Sequence, residues 1–136
     1  MDNLTPDQRK KNMQKIRSSG TKPERILINE LKKLKLNFQI YYKNVIGKPD
    51  IAFCRKKIAI FIDSDFWHGH PTRFKMPKSN VNYWENKIKN NKKRDKLVNQ
   101  ELKKIGWEVI RIWDFNIKHD LKRSINKILS SLFNDK

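Results

Sequence analysis

The segment "GKPDIAFCRKKIAIFID", residues 47–63, contains the clearest strand pattern of this chain. Its two apolar segments, residues 51–54 and 57–63, predict short buried strands, and the basic residues between them predict the turn of a hairpin. Two buried strands paired in this way form the centre of a sheet. The flanking segments therefore determine which elements cover that sheet.

A helix is predicted upstream of the hairpin. The segment "TKPE" places the hydroxyl of Thr21 three residues before Glu24, with Pro23 in the first turn, and this pattern is typical of a helix start. The helix should run to about residue 35, and residues 38–42 predict a further strand. The apolar residues at helical spacing are predicted to face the core. They are Ile26, Leu27, Leu31 and Leu34.

The rest of the chain predicts an α/β domain. Residues 81–105 predict a long helix that ends at Gly106, residues 107–113 a strand, and residues 121–133 an amphipathic helix. Residues 6–17 predict a short basic helix with so few apolar side chains that residues 1–20 are expected to form an arm that docks on a partner. We therefore expect a single domain, residues 1–136, with a central mixed sheet flanked by helices.

The charge of the chain favours a nucleic-acid partner. Lys and Arg number 32 against 14 Asp and Glu, which gives a formal charge of +18. Such a surface repels itself unless it meets a polyanion, although a lysine-rich solvated surface is the plainer alternative. The single cysteine, Cys54, excludes a disulfide framework and a zinc site with several cysteines. Without a signal peptide or an apolar membrane span, an intracellular, cytoplasmic location is expected.

Carboxylates near the sheet edge are candidates for a metal site. The turn before the first buried strand delivers Asp50 to its start, where a carboxylate can hold a hard cation such as Mg²⁺. Asp63 and Asp65 are further candidates because residues two apart in a strand project to the same side. Glu24 is another candidate carboxylate. Asp50 and Glu24 both have structural alternatives, because Asp50 can simply cap the turn and Glu24 can belong to the helix cap formed with Thr21.

His68 is a candidate general base. A histidine can accept a proton from water near neutral pH when a carboxylate on its other nitrogen fixes the tautomer, and Asp95 of the long helix is a candidate partner. The alternative is an ordinary surface or core histidine. The neighbouring Phe66 and Trp67 are either core residues or wedges that stack between base pairs, since unstacking and base–aromatic stacking nearly balance.

Five segments together resemble the very short patch repair (Vsr) DNA mismatch endonucleases. They are "KKNMQKIRSSGTKPE", "GKPDI", "FIDSDFWHGHP", "YWENKIKNNKKRD" and "LKKIGWEVIRIWD", in this order, and the resemblance extends from about Arg9 to Leu132. It implies a restriction-endonuclease-like fold. It also implies a DNA repair activity, the Mg²⁺-dependent nicking of one strand of double-stranded DNA 5′ to the T of a T:G mismatch.

The resemblance also implies roles for individual residues. Asp50 matches the metal-binding aspartate, the backbone carbonyl of Ile62 matches a second metal ligand, and Asp63 is a less certain third candidate. His68 matches the histidine that activates water, with Asp95 as its support, and Glu24 matches an acidic residue near the active site. Other matched residues are expected to bind DNA, three as aromatic wedges and four in the clamping arm. They are Phe66, Trp67 and Trp84, and Asn12, Met13, Lys15 and Arg17.

The chain departs from the family pattern at the zinc site that many members carry. Asp65 and Phe115 stand where cysteines are common, so no zinc is expected, and packing through Phe74 and Phe115 is expected to replace it. Two alternatives stay open: a restriction-type endonuclease that cuts matched sites, and a DNA-binding module without catalysis. A monomer is expected, with a location near the nucleoid and a functional link to a cytosine DNA methyltransferase.

Overall fold

A four-stranded mixed sheet forms the centre of the protein. The computed structural model describes residues 22–64, 68–71 and 74–133. Within them the strand order is β1-β2-β3-β4, with the first two pairings antiparallel and β3 parallel to β4, which confirms the predicted mixed sheet. The strands are β1 (Gln39–Ile40), β2 (Ile51–Phe53), β3 (Ile58–Asp63) and β4 (Glu108–Trp113).

Helices cover the sheet. In the described part of the chain they are α1 (Lys22–Lys33), α2 (Val81–Lys104), α3 (Asp114–His119) and α4 (Leu121–Leu132). Three of them match the predicted helices, whereas α3 was not predicted because six residues are too few to display a helical period. The buried side chain of Ile117 anchors α3 to the core. The architecture is α/β and is consistent with a restriction-endonuclease-like fold.

Strand β3 is buried along its whole length and divides the core into two parts. Ile58, Ile60 and Ile62 belong to the main core, which α1 and α4 complete. Ala59 and Phe61 belong to a smaller cluster with Val98 and Leu102 of α2. Because alternate residues of a strand share a face, Asp63 follows Phe61 on the side of α2. This alternation brings the end of β3 toward the polar residues of α2.

Two predictions were wrong at the junction between α1 and the sheet. Leu34 is 48% exposed, because α1 ends at Lys33 and Lys35 adopts a left-handed φ of 58°, so helical spacing no longer applies. The strand predicted for residues 38–42 is shorter, because Tyr41 also has a left-handed φ, of 49°. The predicted arm, residues 1–20, lies outside the described residues. Among the described residues, no helix combines the length and apolar character that a membrane crossing requires.

Candidate active site

A glycine turn places Asp50 beside the end of β3. Gly47 has a φ of 86°, and a Cβ there would lie 2.5 Å from Cγ1 of Val98, so the turn packs directly against α2. The amide N–H of Ile62 donates a hydrogen bond to Oδ2 of Asp50 over 2.7 Å. The N–H and C=O groups of a strand residue point to the same neighbour, so the Ile62 carbonyl also faces the Asp50 side.

His68 is held against α2 by a carboxylate. Its Nδ1 is hydrogen-bonded to Oδ2 of Asp95, and its Nε2 lies 3.7 Å from Oδ1 of Asp63. The next residue, Gly69, has a φ of 59°, and a Cβ there would lie 2.5 Å from Cγ2 of Ile88. The absence of a side chain at Gly69 therefore allows the backbone to approach α2 closely enough for His68 to reach Asp95.

Glu24 is a buried carboxylate at the start of α1. It is 1% exposed, and the hydroxyl of Tyr41 donates a hydrogen bond to its Oε2 over 3.2 Å. Its charge contributes to the raised pKa of Asp50, so the two carboxylates belong to one electrostatic cluster. The helix cap that Glu24 was predicted to form with Thr21 cannot be described, because Thr21 lies outside the described residues.

Two carboxylates of the site, Asp50 and Asp63, resist ionisation. Burial raises the pKa of Asp50 to about 7; the hydrogen bond from Ile62 opposes the shift, and the charges of Glu24 and Asp63 add to it. Burial likewise raises the pKa of Asp63. For His68, burial favours the neutral form, but the hydrogen bond to Asp95 and the charges of Asp63 and Asp95 outweigh it and raise its pKa.

These features fit a bound Mg²⁺ ion. A buried carboxylate with a pKa near 7 lacks a full counter-charge, and a divalent cation would supply it. Mg²⁺ needs only one or two protein carboxylates when substrate phosphates and waters complete its shell. The Asp50 carboxylate and the Ile62 carbonyl could provide oxygen ligands for such an ion in the cleft.

Arg111 is a site residue that the sequence analysis missed. It lies opposite Phe61 in the parallel pairing of β3 with β4, and its Nη1 donates to Oδ1 of Asp63 over 2.9 Å. The only signal was a charged residue in the middle of the apolar segment "WEVIRIW". That signal alone does not separate a buried Arg from one on an exposed strand face.

An open cleft of about 590 Å³ joins these groups. Acidic and titratable residues line it together with basic side chains from the turn before β2 and from α2. The basic residues suit a phosphate backbone, since phosphate contacts come mainly from Lys and Arg. The polar and charged lining residues are Tyr41, Lys43, Lys48, Asp50, Asp63, His68, Arg94, Asp95 and Arg111.

Most of the predicted DNA-binding residues lie outside the described residues. They are Asn12, Met13, Lys15, Arg17, Phe66 and Trp67, and Asp65 is outside as well. Trp84 is described and is 9% exposed, packed edge-on against Tyr83 with ring centroids 5.0 Å apart. Tyr83 itself is 59% exposed, so at the start of α2 it presents more aromatic surface to solvent than Trp84 does.

Aromatic contacts occur around His70 and at the end of β4, where the family resemblance implied a zinc site in other members. The ring of His70 packs edge-on against Trp113 at 4.5 Å, and the ring of Phe115 lies 4.2 Å from the ring of His119. Cys54 is exposed at the end of β2. Replacement of the zinc by packing through Phe74 and Phe115 stays a prediction.

The end of β3 combines the buried Asp50 carboxylate, the His68–Asp95 pair and a cleft lined by basic side chains. In so basic a chain, this combination is that of a DNA-cleaving nuclease with a restriction-endonuclease-like fold. A family profile described as DNA mismatch endonuclease Vsr matches residues 1–73. The chain belongs to the Vsr family. It is therefore a DNA endonuclease, a hydrolase of phosphodiester bonds.

Individual relatives agree with this family. The chain is 45% identical over 116 residues to the type II nicking enzyme V.HpaIIP of Haemophilus parainfluenzae, covering 83% of this chain and 82% of that protein. It is 41% identical to V.NmeDIP of Neisseria meningitidis serogroup C, with 86% and 80% covered. It is 32% identical to the DNA mismatch endonuclease Vsr of Escherichia coli K12, with 78% and 69% covered.

The raised pKa of Asp50 predicts a gain in stability when its charge is removed. The folded pKa, about 7, lies above the ordinary value of 3.8, so the metal-free fold is destabilised above pH 7 and this loss disappears as the pH falls toward 4. We expect Asp50→Asn, which can still accept the Ile62 hydrogen bond, to unfold about 3 to 6 °C higher at pH 8 in EDTA. The gain should vanish near pH 4.

Thermal unfolding followed by circular dichroism measures this difference. The control is Glu101→Gln, which neutralises an exposed carboxylate of α2 and should shift the midpoint by about 1 °C or less. An Asp50→Asn midpoint at pH 8 equal to or below that of the wild type would show that the carboxylate is not under electrostatic strain.

Proposed function

We propose that this protein is a Mg²⁺-dependent endonuclease that nicks one strand of double-stranded DNA 5′ to the T of a T:G mismatch. The observation that supports it most directly is the convergence of Asp50, the Ile62 backbone and the His68–Asp95 pair on one cleft. The relatives V.HpaIIP and V.NmeDIP are named nicking enzymes, which supports cleavage of one strand. The Escherichia coli relative is named a mismatch endonuclease, which supports action at a mismatch.

In this proposal Asp50 and the Ile62 carbonyl hold the ion. When bound, Mg²⁺ supplies charge neutralisation at the phosphate and lowers the pKa of a nearby water. Glu24, buried close to Asp50, adds negative charge that favours a divalent cation at this position. Asp63 stays a candidate ligand, although its Oδ1 already accepts a hydrogen bond from Arg111.

His68 acts as the general base. Asp95 accepts a hydrogen bond from Nδ1, which leaves the lone pair on Nε2 to take a proton from the attacking water. The basic residues that line the cleft, Lys43, Lys48 and Arg94, hold the phosphate backbone beside it. Ion binding, proton transfer and DNA positioning thus fall to separate groups of side chains.

Mismatch recognition is assigned to aromatic side chains and the N-terminal arm. The proposed aromatic wedges at the weakened T:G step are Phe66 and Trp67, together with Trp84. The arm, with Asn12, Met13, Lys15 and Arg17, clamps the duplex. A T:G pair is asymmetric and only one strand is cut, so a monomer suffices, and we propose a functional link to a cytosine DNA methyltransferase, whose product deaminates to T.

Nicking of end-labelled duplexes tests the proposal. One duplex carries a central T:G mismatch and the other is fully paired, each strand is labelled separately, and Mg²⁺ is compared with EDTA. We expect metal-dependent cleavage of the T strand of the mismatched duplex alone. Cleavage of both strands of paired DNA would instead indicate a restriction-type enzyme, and tight binding without cleavage would indicate a DNA-binding module.

Trp67→Ala tests the aromatic wedge. Base–aromatic stacking contributes about 1 to 3 kcal/mol, so we expect preference for the T:G duplex over the paired duplex to fall by about 5- to 100-fold. Affinity for paired DNA should change little. Competition binding with the two duplexes measures this ratio.

The matched control for the wedge is Phe133→Ala. This substitution removes an exposed aromatic side chain beyond α4 and should leave the preference unchanged. A Trp67→Ala protein with wild-type discrimination would contradict the wedge.

A further inference from the structure

Arg111 contacts the carboxylate–histidine cluster, which consists of Asp63, His68 and Asp95. Its Nη1 donates to Asp63 Oδ1 over 2.9 Å and lies 3.6 Å from Asp95 Oδ1, while Nη2 donates to the Asp95 backbone carbonyl over 3.5 Å. One guanidinium therefore contacts both carboxylates that flank His68. These contacts connect β3, β4 and α2 at the point where the catalytic groups meet.

The guanidinium is fixed by further contacts on its other sides. Its Nε donates to Oδ1 of Asn99 over 2.8 Å, and its Cζ lies 4.3 Å above the ring centre of Phe61. The side chain is only 18% exposed. A planar group that is stacked on a ring and bonded at several nitrogens is preorganised, and a lysine cannot reproduce this geometry.

The cluster requires a cation. Ligand atoms of Asp63, His68 and Asp95 all lie within 4.8 Å of one another, so two carboxylates face the same imidazole. Unopposed, two carboxylates this close would repel each other and move apart, and His68 would lose its fixed position. Arg111 supplies the opposing positive charge from within the protein.

We propose that Arg111 is a positioning residue for the nicking reaction. It holds Asp63 and Asp95 in place, and through them it holds the imidazole of His68 in the orientation that removes a proton from water. This inference rests on the proposed role of His68 as the base. It concerns the orientation of His68, and it gives Arg111 no contact with the reacting atoms.

Arg111→Ala tests the inference by its effect on rate and on binding. Loss of about 1 Å of positioning costs about 100-fold in rate, so single-turnover nicking of a T:G duplex at saturating Mg²⁺ should slow by that factor. The Kd for the duplex should stay within about three-fold, because the guanidinium is largely buried and its N–H groups already bond to Asp63, Asp95 and Asn99. Arg111→Lys should nick at most about ten-fold faster than Arg111→Ala, since lysine restores the positive charge but not the planar guanidinium with its several N–H donors.

Chemical rescue separates positioning from folding. Adding guanidinium ion at tens of millimolar, below denaturing concentrations, should raise the rate of Arg111→Ala at least about ten-fold, the equivalent of one charged hydrogen bond. It should not raise the rate of His68→Ala. The charge control is Arg55→Ala, which removes an exposed cation from the β2–β3 turn and should nick at the wild-type rate.

Asn99→Ala keeps the inference testable if Arg111→Ala fails to fold. It removes the Nε acceptor without changing any charge and should slow nicking by about ten-fold. Nicking by folded Arg111→Ala within three-fold of wild type, or a slow variant that guanidinium does not rescue, would overturn the inference. If the wild type fails to nick T:G duplexes, the proposed function fails instead, and the two failures are distinguishable.

Discussion

Asp50→Ala is expected to slow nicking of a T:G duplex by about 10³-fold or more, because a metal ion contributes several kcal/mol to the stabilisation of the transition state. The variant loses the carboxylate that Ile62 orients toward the cleft. Affinity for the duplex should stay within about three-fold, because Lys and Arg side chains provide most of the contact with phosphates. The change thus separates cleavage from binding.

Single-turnover nicking and equilibrium binding, both measured with excess Mg²⁺, give the two quantities. Glu101→Ala is the control, since it removes an exposed carboxylate of α2 that does not line the cleft. Cleavage by Asp50→Ala at a rate near that of the wild type would remove Asp50 from the metal site. A large loss of affinity would mean that the substitution damages the DNA surface.

The same position links activity to stability. Asp50→Asn should abolish nicking while raising the unfolding temperature of the metal-free protein at pH 8. A buried carboxylate with a raised pKa destabilises the fold, and a bound cation relieves that destabilisation. This combination, more stable and inactive, is expected of a metal ligand and is not expected of a residue that caps a turn.

His68→Ala is expected to lower the nicking rate by about 10² to 10⁴-fold, the usual contribution of a general base. DNA affinity should change little, because the imidazole is mostly buried beside Asp63 and Asp95. Asp95→Asn should cause a loss of similar order, since an amide cannot hold the tautomer in the same way. The double variant should be little slower than either single variant, because the two residues act as a unit.

His119→Ala provides the control for the loss of a histidine. That side chain packs against Phe115 on α3 and should leave the rate unchanged. If His68→Ala nicks at the wild-type rate, His68 is not the base. If the fold-reduction in nicking rate of the double variant equals the product of the two single fold-reductions, His68 and Asp95 act independently.

The sequence predicted the main elements and the residues that meet at the end of β3. The alternation of side chains along residues 58–63 places Asp63 on the side of α2, and the close approach of Gly69 to α2 brings His68 to Asp95 at the same point. It did not predict Arg111, because a charged residue in a strand shows its partner only after β4 has paired with β3. The Tyr41–Glu24 hydrogen bond was also missed, since it depends on a left-handed residue that no local pattern indicates.

Sulfur substitution at the scissile phosphate tests whether a metal ion near Asp50 acts on that phosphate. Each non-bridging oxygen of the phosphate 5′ to the mismatched T is replaced by sulfur in turn, and single-turnover nicking is measured in Mg²⁺ and in Mn²⁺. Mg²⁺ binds oxygen ligands, whereas Mn²⁺ binds sulfur more readily. We expect one diastereomer to be cut much more slowly than the other in Mg²⁺ and to recover in Mn²⁺. Equal cleavage of both diastereomers in either metal, or undiminished cleavage in EDTA, would rule out this role for the ion.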